Sequence, residues 1–318
     1  MPTTPKVYIS VLNWNGAEKT IQCLQSLEQL DYPNYQVVVV DNASTDRSVE
    51  QIRQAYPDMP LICAVANLGY AGGNELALRQ ALADPDAELF WILNNDAVVQ
   101  YDTLSALVEA YTLHGQALYG GVPLSMSSQQ TDDWRIQVAL WEAHGGRYRL
   151  NKLNGVSFHR YFKSQEARPA GSLSGSCLCI PLALIRHHGY MNTDFFLYWE
   201  DTDYCFRLRQ ANIQSYIVPK AVIFHTRGGS RQQNPALKSM VLYYQTRNRL
   251  FFYRKYFDFS GYVGIMLRQG AYVVYWLLVW LTGQRAAFHH ARHTLWGIRD
   301  ALTKRSGKTL APEAYLER

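Results

Sequence analysis

The sequence predicts an α/β protein with a mainly parallel central sheet flanked by helices, followed by a helical tail of different character. Three observations carry that prediction. Short β-branched runs alternate with stretches of helical spacing through the first hundred residues. A polar cluster follows each of four strand candidates, where ligands bind in such sheets. Residues 236–318 change character and become aromatic, apolar and basic.

Lys6–Leu12 (KVYISVL) is apolar and β-branched and reads as the first strand. Ala17–Gln29 places Ile21, Leu24 and Leu27 on one helical stripe. Gln36–Val40 (QVVVV) has the composition of a fully buried strand, and Ser44-Thr-Asp-Arg can cap a helix running to about Tyr56. Leu61–Val65 reads as a short strand, Gly72–Ala83 as a helix and Leu89–Leu93 (LFWIL) as another buried strand. This alternation implies parallel strands joined by right-handed crossovers. Met126–Ala170 is polar and irregular, the mark of a loop-rich insertion. A strand signal returns at Ser176–Ile180, and Tyr198–Gln210 reads as a loop entering a helix. Ser215–Val218 and Ala221–His225 read as two short strands, followed by a flexible basic lid at Gly228-Gly-Ser-Arg-Gln-Gln-Asn.

Met240–Phe257 is an aromatic-rich helix. Ala271–Leu281 (AYVVYWLLVWL) is strongly apolar; extended back to Tyr262 it reaches the roughly 20 residues of a membrane span, but Arg268 and Gln269 interrupt it. The uninterrupted part favours an interfacial or re-entrant segment over a transmembrane helix. A second helix carries Phe288, Ala291, Leu295, Ile298 and Leu302 on one stripe, with Arg285, His289, Arg292, His293 and Arg299 elsewhere around it. The pair predicts docking on an anionic membrane surface; packing on the chain's own domain or on a partner is the alternative.

Composition narrows the class. The 318 residues are 48% hydrophobic and 18% charged, which excludes a wholly disordered or collagenous chain. The net charge of +5 is local: Leu250–Arg318 holds ten Lys/Arg against four Asp/Glu, and the remainder 21 against 22. A balanced body argues against nucleic-acid binding and for a local anionic contact of the tail. Five cysteines without a regular frame fit a reducing compartment, and Cys177 and Cys179 read as small residues on one face of a buried strand. The opening MPTTPKVYIS lacks the charged start and long apolar core of a signal peptide.

The polar clusters are Asn13-Trp-Asn15-Gly, Asp41-Asn42-Ala-Ser, the Asn67-Leu-Gly69-Tyr-Ala-Gly-Gly-Asn74 turn, and Asn94-Asn95-Asp96. One such cluster is an ordinary turn, whereas four in register read as the rim of a ligand site. Asp41 can accept a hydrogen bond from a base N–H or a ribose hydroxyl, although the cluster also suits a helix cap. The glycines after Asn67 let a backbone approach a ligand closely, yet they do not make a dinucleotide fingerprint. Asp96 can bind a hard divalent cation that carries a diphosphate; a simple Asn/Asp turn is the alternative. Glu200, Asp201 and Asp203 are clustered carboxylates that raise one another's pKa and suit a proton acceptor, or an acidic helix start. Tyr198 and Trp199 beside them offer an apolar platform for a sugar. His225 can ligate a metal as neutral imidazole, though a lone histidine is more often structural.

Taken in order, VLNWNG (11–16), VVVDNASTD (38–46), NLGYAGGNE (67–75), LNNDAVV (93–99), SGSCLCI (174–180), FFLYWEDTDYCFRLR (195–209) and HTRGGS (225–230) resemble the inverting family 2 glycosyltransferases. The resemblance runs from about Lys6 to Phe257 and is greatest to the bacterial rhamnosyltransferase-like branch, which YYQTRNRLFFYRK (243–255) also resembles. It implies a GT-A fold over residues 1–235, with a nucleotide-sugar half (1–100) and an acceptor half (101–235), and a membrane-associating region over 236–318. It implies a nucleotide-sugar donor held by Asn13, Asn15, Asp41, Asn42, Asn67, Gly69, Asn74, Asn94 and Asn95. It implies a divalent cation, Mn2+ or Mg2+, at Asp96 and His225. Asp201 falls at the catalytic base, with Trp199, Glu200 and Asp203 at the acceptor. Two of the three positions of the family's acidic metal motif are Asn here, which leaves Asp96 as its only carboxylate. The branch favours dTDP-L-rhamnose as donor, with UDP-hexoses next. Its acceptor is a glycan or a polyprenyl-diphosphate-linked glycan at the cytoplasmic face of a bacterial membrane. A non-catalytic nucleotide- or glycan-binding member of the fold and a membrane-docked scaffold are the alternatives.

Overall fold

The computed structural model describes residues 4–125, 135–138, 151–154, 166–225 and 235–315. The chain divides into two compact units. The first comprises Met1–Asn67, Gly72–Met191 and Tyr204–Arg227, and the second Leu68–Ala71, Asn192–Asp203 and Gly228–Arg318.

The first unit is built on a sheet. Its first half follows the alternation read from the sequence: β1 (Lys6–Asn13), α1 (Ala17–Leu27), β2 (Tyr35–Asp41), α2 (Ser48–Ala55), β3 (Leu61–Cys63), α3 (Gly69–Ala83) and β4 (Ala87–Asn94). Next come β5 (Ala97–Val99), α4 (Thr103–His114), β6 (Leu118–Ser125), β7 (Arg135–Val138), β8 (Asn151–Asn154), β9 (Arg168–Pro169), β10 (Cys177–Pro181) and α5 (Leu182–His188). Helix α6 (Glu200–Gln210) and β11 (Ser215–His225) follow. The main sheet runs β3-β2-β1-β4-β10-β6-β11-β5, with β9 on β11; β7 and β8 pair separately as antiparallel strands.

Strands β3, β2, β1 and β4 are parallel, as expected. The other half is mixed, because β10 runs antiparallel to both β4 and β6, and β5 antiparallel to β11. A short apolar run signals a strand but carries no information about its direction. The two short strands expected at 215–225 are one strand whose register shifts between Ile217 and Val222. Pro219, which has no N–H to give to a ladder, lies in that shift. One face of the central strands carries the core: Val7, Ile9, Val11, Val39, Leu89, Trp91 and Leu93 pack with Leu24 and Leu27 of α1 and Leu104 and Leu107 of α4. Cys177 and Cys179 are buried and unpaired in β10. Of the irregular insertion expected at 126–170, only the strands named above and their neighbours lie within the described residues, and the lid at 228–234 lies outside them.

The second unit is helical: α7 (Pro235–Tyr256), α8 (Phe259–Leu281) and α9 (Arg285–Leu302). Asp258 caps α8 by accepting the Gly261 N–H at 2.9 Å. By length and composition α8 can cross a membrane, and only 11% of its apolar window is buried. Leu267, Val274, Leu278 and Leu281 stand exposed on it. The apolar stripe expected on α9 is largely not its packing face: Phe288, Leu295 and Leu302 are 42, 53 and 53% exposed. The packed residues are instead Ala287, His290, Ala291, Thr294, Gly297 and Ala301. Small residues win this face because the helices approach closely; a Cβ on Gly297 would lie 2.7 Å from the Tyr243 carbonyl oxygen. His290 is admitted because its Nδ1 pairs with Ser239 Oγ at 2.9 Å, and burial pushes its pKa down to about 4.

Candidate active site

In the first unit, the polar clusters after β1, β2 and β4 join one hydrogen-bond network. Asn13 at the end of β1 is fully buried, and its amide donates to Asp41 Oδ1 (2.7 Å) and Ser44 Oγ (3.1 Å). Its oxygen accepts Thr20 Oγ1 (2.8 Å) and Asn95 Nδ2 (3.4 Å). Both donors and both lone pairs of Asn13 are therefore used within the protein, so its side chain positions Asp41. Asp41, 2% exposed, takes Asn13 Nδ2 and Ser44 Oγ on Oδ1 and the Ser44 N–H on Oδ2. A carboxylate offers about four acceptor sites, so Oδ2 keeps one for a further donor. Ser44 is thus spent on Asp41, and the Ser48 N–H that opens α2 is taken by Asp46 Oδ1 at 2.9 Å.

The turns that shape this rim use left-handed backbone at Asn15 (φ 50°) and Ala43 (φ 60°). Asn15 Oδ1 accepts the Thr45 N–H at 2.8 Å and so ties the β1 turn to the β2 turn. Asn42 Nδ2 reaches Asn67 Oδ1 at 3.2 Å, and Ser10 Oγ donates to Asn74 Oδ1 at 2.7 Å. The β3–α3 loop is in this way fastened to the ends of β1 and β2. Gly69 has a different part, described below with the second unit.

Asp96 is half-buried in the turn between β4 and β5. Strand register pairs His225 with Ala97, so the backbone brings position 225 beside position 96. Among the described residues no group of three or more His, Cys, Asp or Glu is arranged for a metal. One hard carboxylate with one imidazole position fits a cation that completes its shell with phosphate oxygens and water, as Mg2+ and Mn2+ do in phosphate sites.

In the second unit, the acidic cluster opens α6. Asp201 is half-buried and its Oδ1 accepts the Thr202 N–H (2.6 Å) and Oγ1 (3.2 Å). Glu200 is 5% exposed, and burial, reinforced by Asp201, raises its pKa well above the ordinary value. Its Oε2 is buried without a hydrogen-bond partner among the described residues. Asp203 turns fully inward, where Oδ1 pairs with Lys255 Nζ at 2.9 Å. The cluster therefore sorts into one buried acid with a raised pKa, Glu200, one ion-paired structural carboxylate, Asp203, and one partly accessible carboxylate, Asp201. Trp199 is half-buried between Phe252 (ring centroids 5.2 Å apart) and the Arg249 guanidinium, 5.3 Å from its ring centre.

The loop that delivers this helix is strained. Phe196, Tyr198 and Trp199 all have positive φ, at 58°, 67° and 77°. Such conformations persist where surrounding structure over-determines them. Two residues without a role in the sequence reading supply that structure. Arg247 and Asn248, both fully buried on α7, bind the loop through its carbonyls. Asn248 Nδ2 donates to Phe195, Leu197 and Tyr198 at 2.6, 2.8 and 2.9 Å. Arg247 reaches Asp194 and Phe195, and its Nε locks the Asn248 oxygen at 2.9 Å. The signal was present as two strongly polar residues inside an aromatic helix, where burial demands partners. Gly69 belongs to this same assembly: at φ 75° a Cβ would lie 2.3 Å from the Phe196 carbonyl oxygen, which the Tyr70 N–H binds at 2.7 Å.

Residues 8–165, half the chain, match the model of Glycosyl transferase family 2. A low-salt glycan biosynthesis hexosyltransferase, Agl10, of Haloferax volcanii is 27% identical over 55% of this chain and 54% of its own length. The chain thus spans about half the length of that relative. An N-acetylglucosaminyl-diphospho-decaprenol L-rhamnosyltransferase of Mycobacterium tuberculosis is 28% identical over 63% of this chain and 69% of its own. Among solved structures, a mannosyltransferase from Pyrobaculum calidifontis, in complex with GDP-Man and Mn2+, superposes with a TM-score of 0.55. It is 15% identical and covers 96% of this chain and 89% of its own. That likeness assigns the GT-A fold, and the sequence matches assign the kinship: the chain belongs to glycosyl transferase family 2.

Proposed function

We propose that the protein is an inverting glycosyltransferase that moves a sugar from a nucleoside-diphosphate donor, dTDP-L-rhamnose for preference, to a hydroxyl of a lipid-linked glycan. The observation that carries this reading is Asp41, a buried carboxylate at a strand end with one acceptor position left for a ligand N–H or hydroxyl. The rhamnosyl preference and the lipid-linked acceptor rest on the mycobacterial relative, which is named for both. In this reading residues 1–235 are the transferase and 236–318 its membrane-associating region at the cytoplasmic face, supported by the exposed apolar side chains of α8 and α9.

The roles follow from the chemistry. Asp41 takes the nucleotide, and Asn15, Asn42, Asn67, Asn74, Asn94 and Asn95 shape the rim around it. Asp201, the partly accessible carboxylate, accepts the proton of the acceptor hydroxyl as that oxygen attacks the anomeric carbon. The bond to the diphosphate oxygen breaks on the opposite face, so configuration inverts and no covalent enzyme intermediate forms. Asp96 and His225 would hold a divalent cation, which when bound offsets charge on the departing diphosphate. Burial raises the pKa of Glu200, which disfavours a second negative charge beside Asp201. Trp199 offers its ring to the acceptor sugar.

Calorimetric titration with dTDP and UDP, with and without Mn2+, tests the donor half. Metal-dependent binding that prefers dTDP is expected; a preference for UDP replaces the rhamnosyl donor by a hexosyl one, and binding of neither refutes the enzyme. Asp201→Asn tests the other half: transfer should fall by about 10³-fold or more while nucleotide affinity holds. Equal loss of both removes Asp201 from the role of base.

A further inference from the structure

Helices α7, α8 and α9 enclose a pocket of about 110 Å³ whose polar lining includes Thr246, Arg249 and Gln269. That space exceeds the roughly 10–15 Å³ one water needs. Gln269 is the buried polar residue of α8: it is 3% exposed, on a helix that is mostly apolar apart from its neighbour Arg268. Its Oε1 accepts Thr246 Oγ1 at 3.4 Å, while its Nε2 has no hydrogen-bond partner among the described residues. Buried amide donors are almost always paired, so an orphan lining a pocket points to a ligand.

Arg249 gives the same indication independently. It is half-buried, and among the described residues no carboxylate or carbonyl pairs with it; its contact is with the Trp199 ring. Burial, and then the neighbouring Arg268, lower its pKa below the ordinary value, as expected for a cation lacking a counter-charge. Among the described residues no acidic side chain lines the pocket. A guanidinium and an unpaired amide N–H₂ together offer donors and positive charge, the requirements of a tetrahedral oxyanion. Elsewhere α8 exposes Leu267, Val274, Leu278 and Leu281, so the pocket belongs to the unit that carries the most apolar exposed surface.

We propose that this pocket binds the phosphate or diphosphate of a lipid-linked acceptor, with Arg249 and Gln269 as its donors. The proposal rests on the lipid-linked acceptor proposed above and gives it a location. Through the Arg249–Trp199 contact, occupation of the pocket would reach the residue that immediately precedes Glu200 and Asp201.

The test uses the full chain in detergent, with farnesyl diphosphate and farnesol as probes and UDP as the donor-site control. Farnesyl diphosphate should bind at least about tenfold more tightly than farnesol, and Arg249→Gln and Gln269→Leu should each weaken it by about tenfold. Arg249→Lys should recover part of the loss, and UDP affinity should be equal in all variants. Equal affinity for farnesol and its diphosphate, or unchanged binding in Arg249→Gln and Gln269→Leu, overturns the proposal. So does loss of flotation on phosphatidylglycerol vesicles with farnesyl diphosphate binding intact, because that assigns the pocket to bilayer headgroups. If the diphosphate binds as expected but wild-type protein transfers no sugar to a diphosphate-linked acceptor, the proposed function fails and the phosphate site stands.

Discussion

Replacing Asn248 tests whether the strained loop before α6 is held from α7. Three non-glycine residues there are left-handed, each costing about 1–2 kcal/mol, so the loop stores roughly 3–6 kcal/mol. Asn248 opposes that strain with two N–H groups shared among three carbonyls. In Asn248→Ala, Phe195 keeps its bond from Arg247 at 3.2 Å, whereas the Leu197 and Tyr198 carbonyls lose the amide. At about 1–2 kcal/mol for each half-buried acceptor, stability should fall by about 2–4 kcal/mol. Asn248→Asp is the sharper variant: nearly the same shape, but a carboxylate facing three carbonyl oxygens, so it should be worse than alanine. The assay pairs urea unfolding with steady-state transfer. The kcat of the alanine variant should drop by about 10²-fold through misplacement of Asp201, while donor affinity stays at the wild-type value. An Asn248→Asp protein with wild-type stability and wild-type kcat would refute the reasoning, since no other account of the loop places three carbonyls on one amide.

Further variants test neighbouring parts. Gly69→Ala puts a Cβ 2.3 Å from the Phe196 oxygen at φ 75°, and should cost about 2–4 kcal/mol in urea unfolding; a wild-type midpoint would show that the loop yields freely. Lys255→Met strips the partner from Asp203, whose side chain is 1% exposed; because Lys255 itself is 44% exposed, the loss should be about 2 kcal/mol, below that of a fully buried pair. Glu200→Gln should stabilise the protein in a pH-dependent way. The folded-state pKa of Glu200 lies above its ordinary 4.5, so the native state favours the protonated acid and loses stability as pH rises from that value towards the folded one. The variant should therefore match wild type near pH 4 and exceed it near pH 8, and a constant difference across that range would contradict burial as the cause.

The sequence was most legible where period and polarity agreed. Strands β1, β2 and β4 are rich in buried apolar residues and end in Asn or Asp, so their existence, their burial and the polar clusters at their ends could be read together. Direction was not legible for β10, since CLCIP looks the same run either way, and the sheet's mixed half follows from that one ambiguity. The roles within the acidic cluster were hidden for a related reason. Glu200, Asp201 and Asp203 are equivalent as letters, and only burial separates the acid with the raised pKa, the partly accessible carboxylate and the partner of Lys255. On α9 the stripe of large apolar residues suggested a packing face, but close approach at Gly297 selects small side chains and turns Phe288, Leu295 and Leu302 outward. Arg247, Asn248, Arg249 and Gln269 share one signature that periodicity overlooks: each is strongly polar inside an aromatic or apolar helix, three of them fully or almost fully buried. Burying such a group is costly unless it is answered. Arg247 and Asn248 are answered by the carbonyls of the strained loop, which makes them its supports. Among the described residues Arg249 has no counter-charge and Gln269 Nε2 no acceptor, and that is why the pocket they line, rather than the better-satisfied network around His290, is where a ligand is expected.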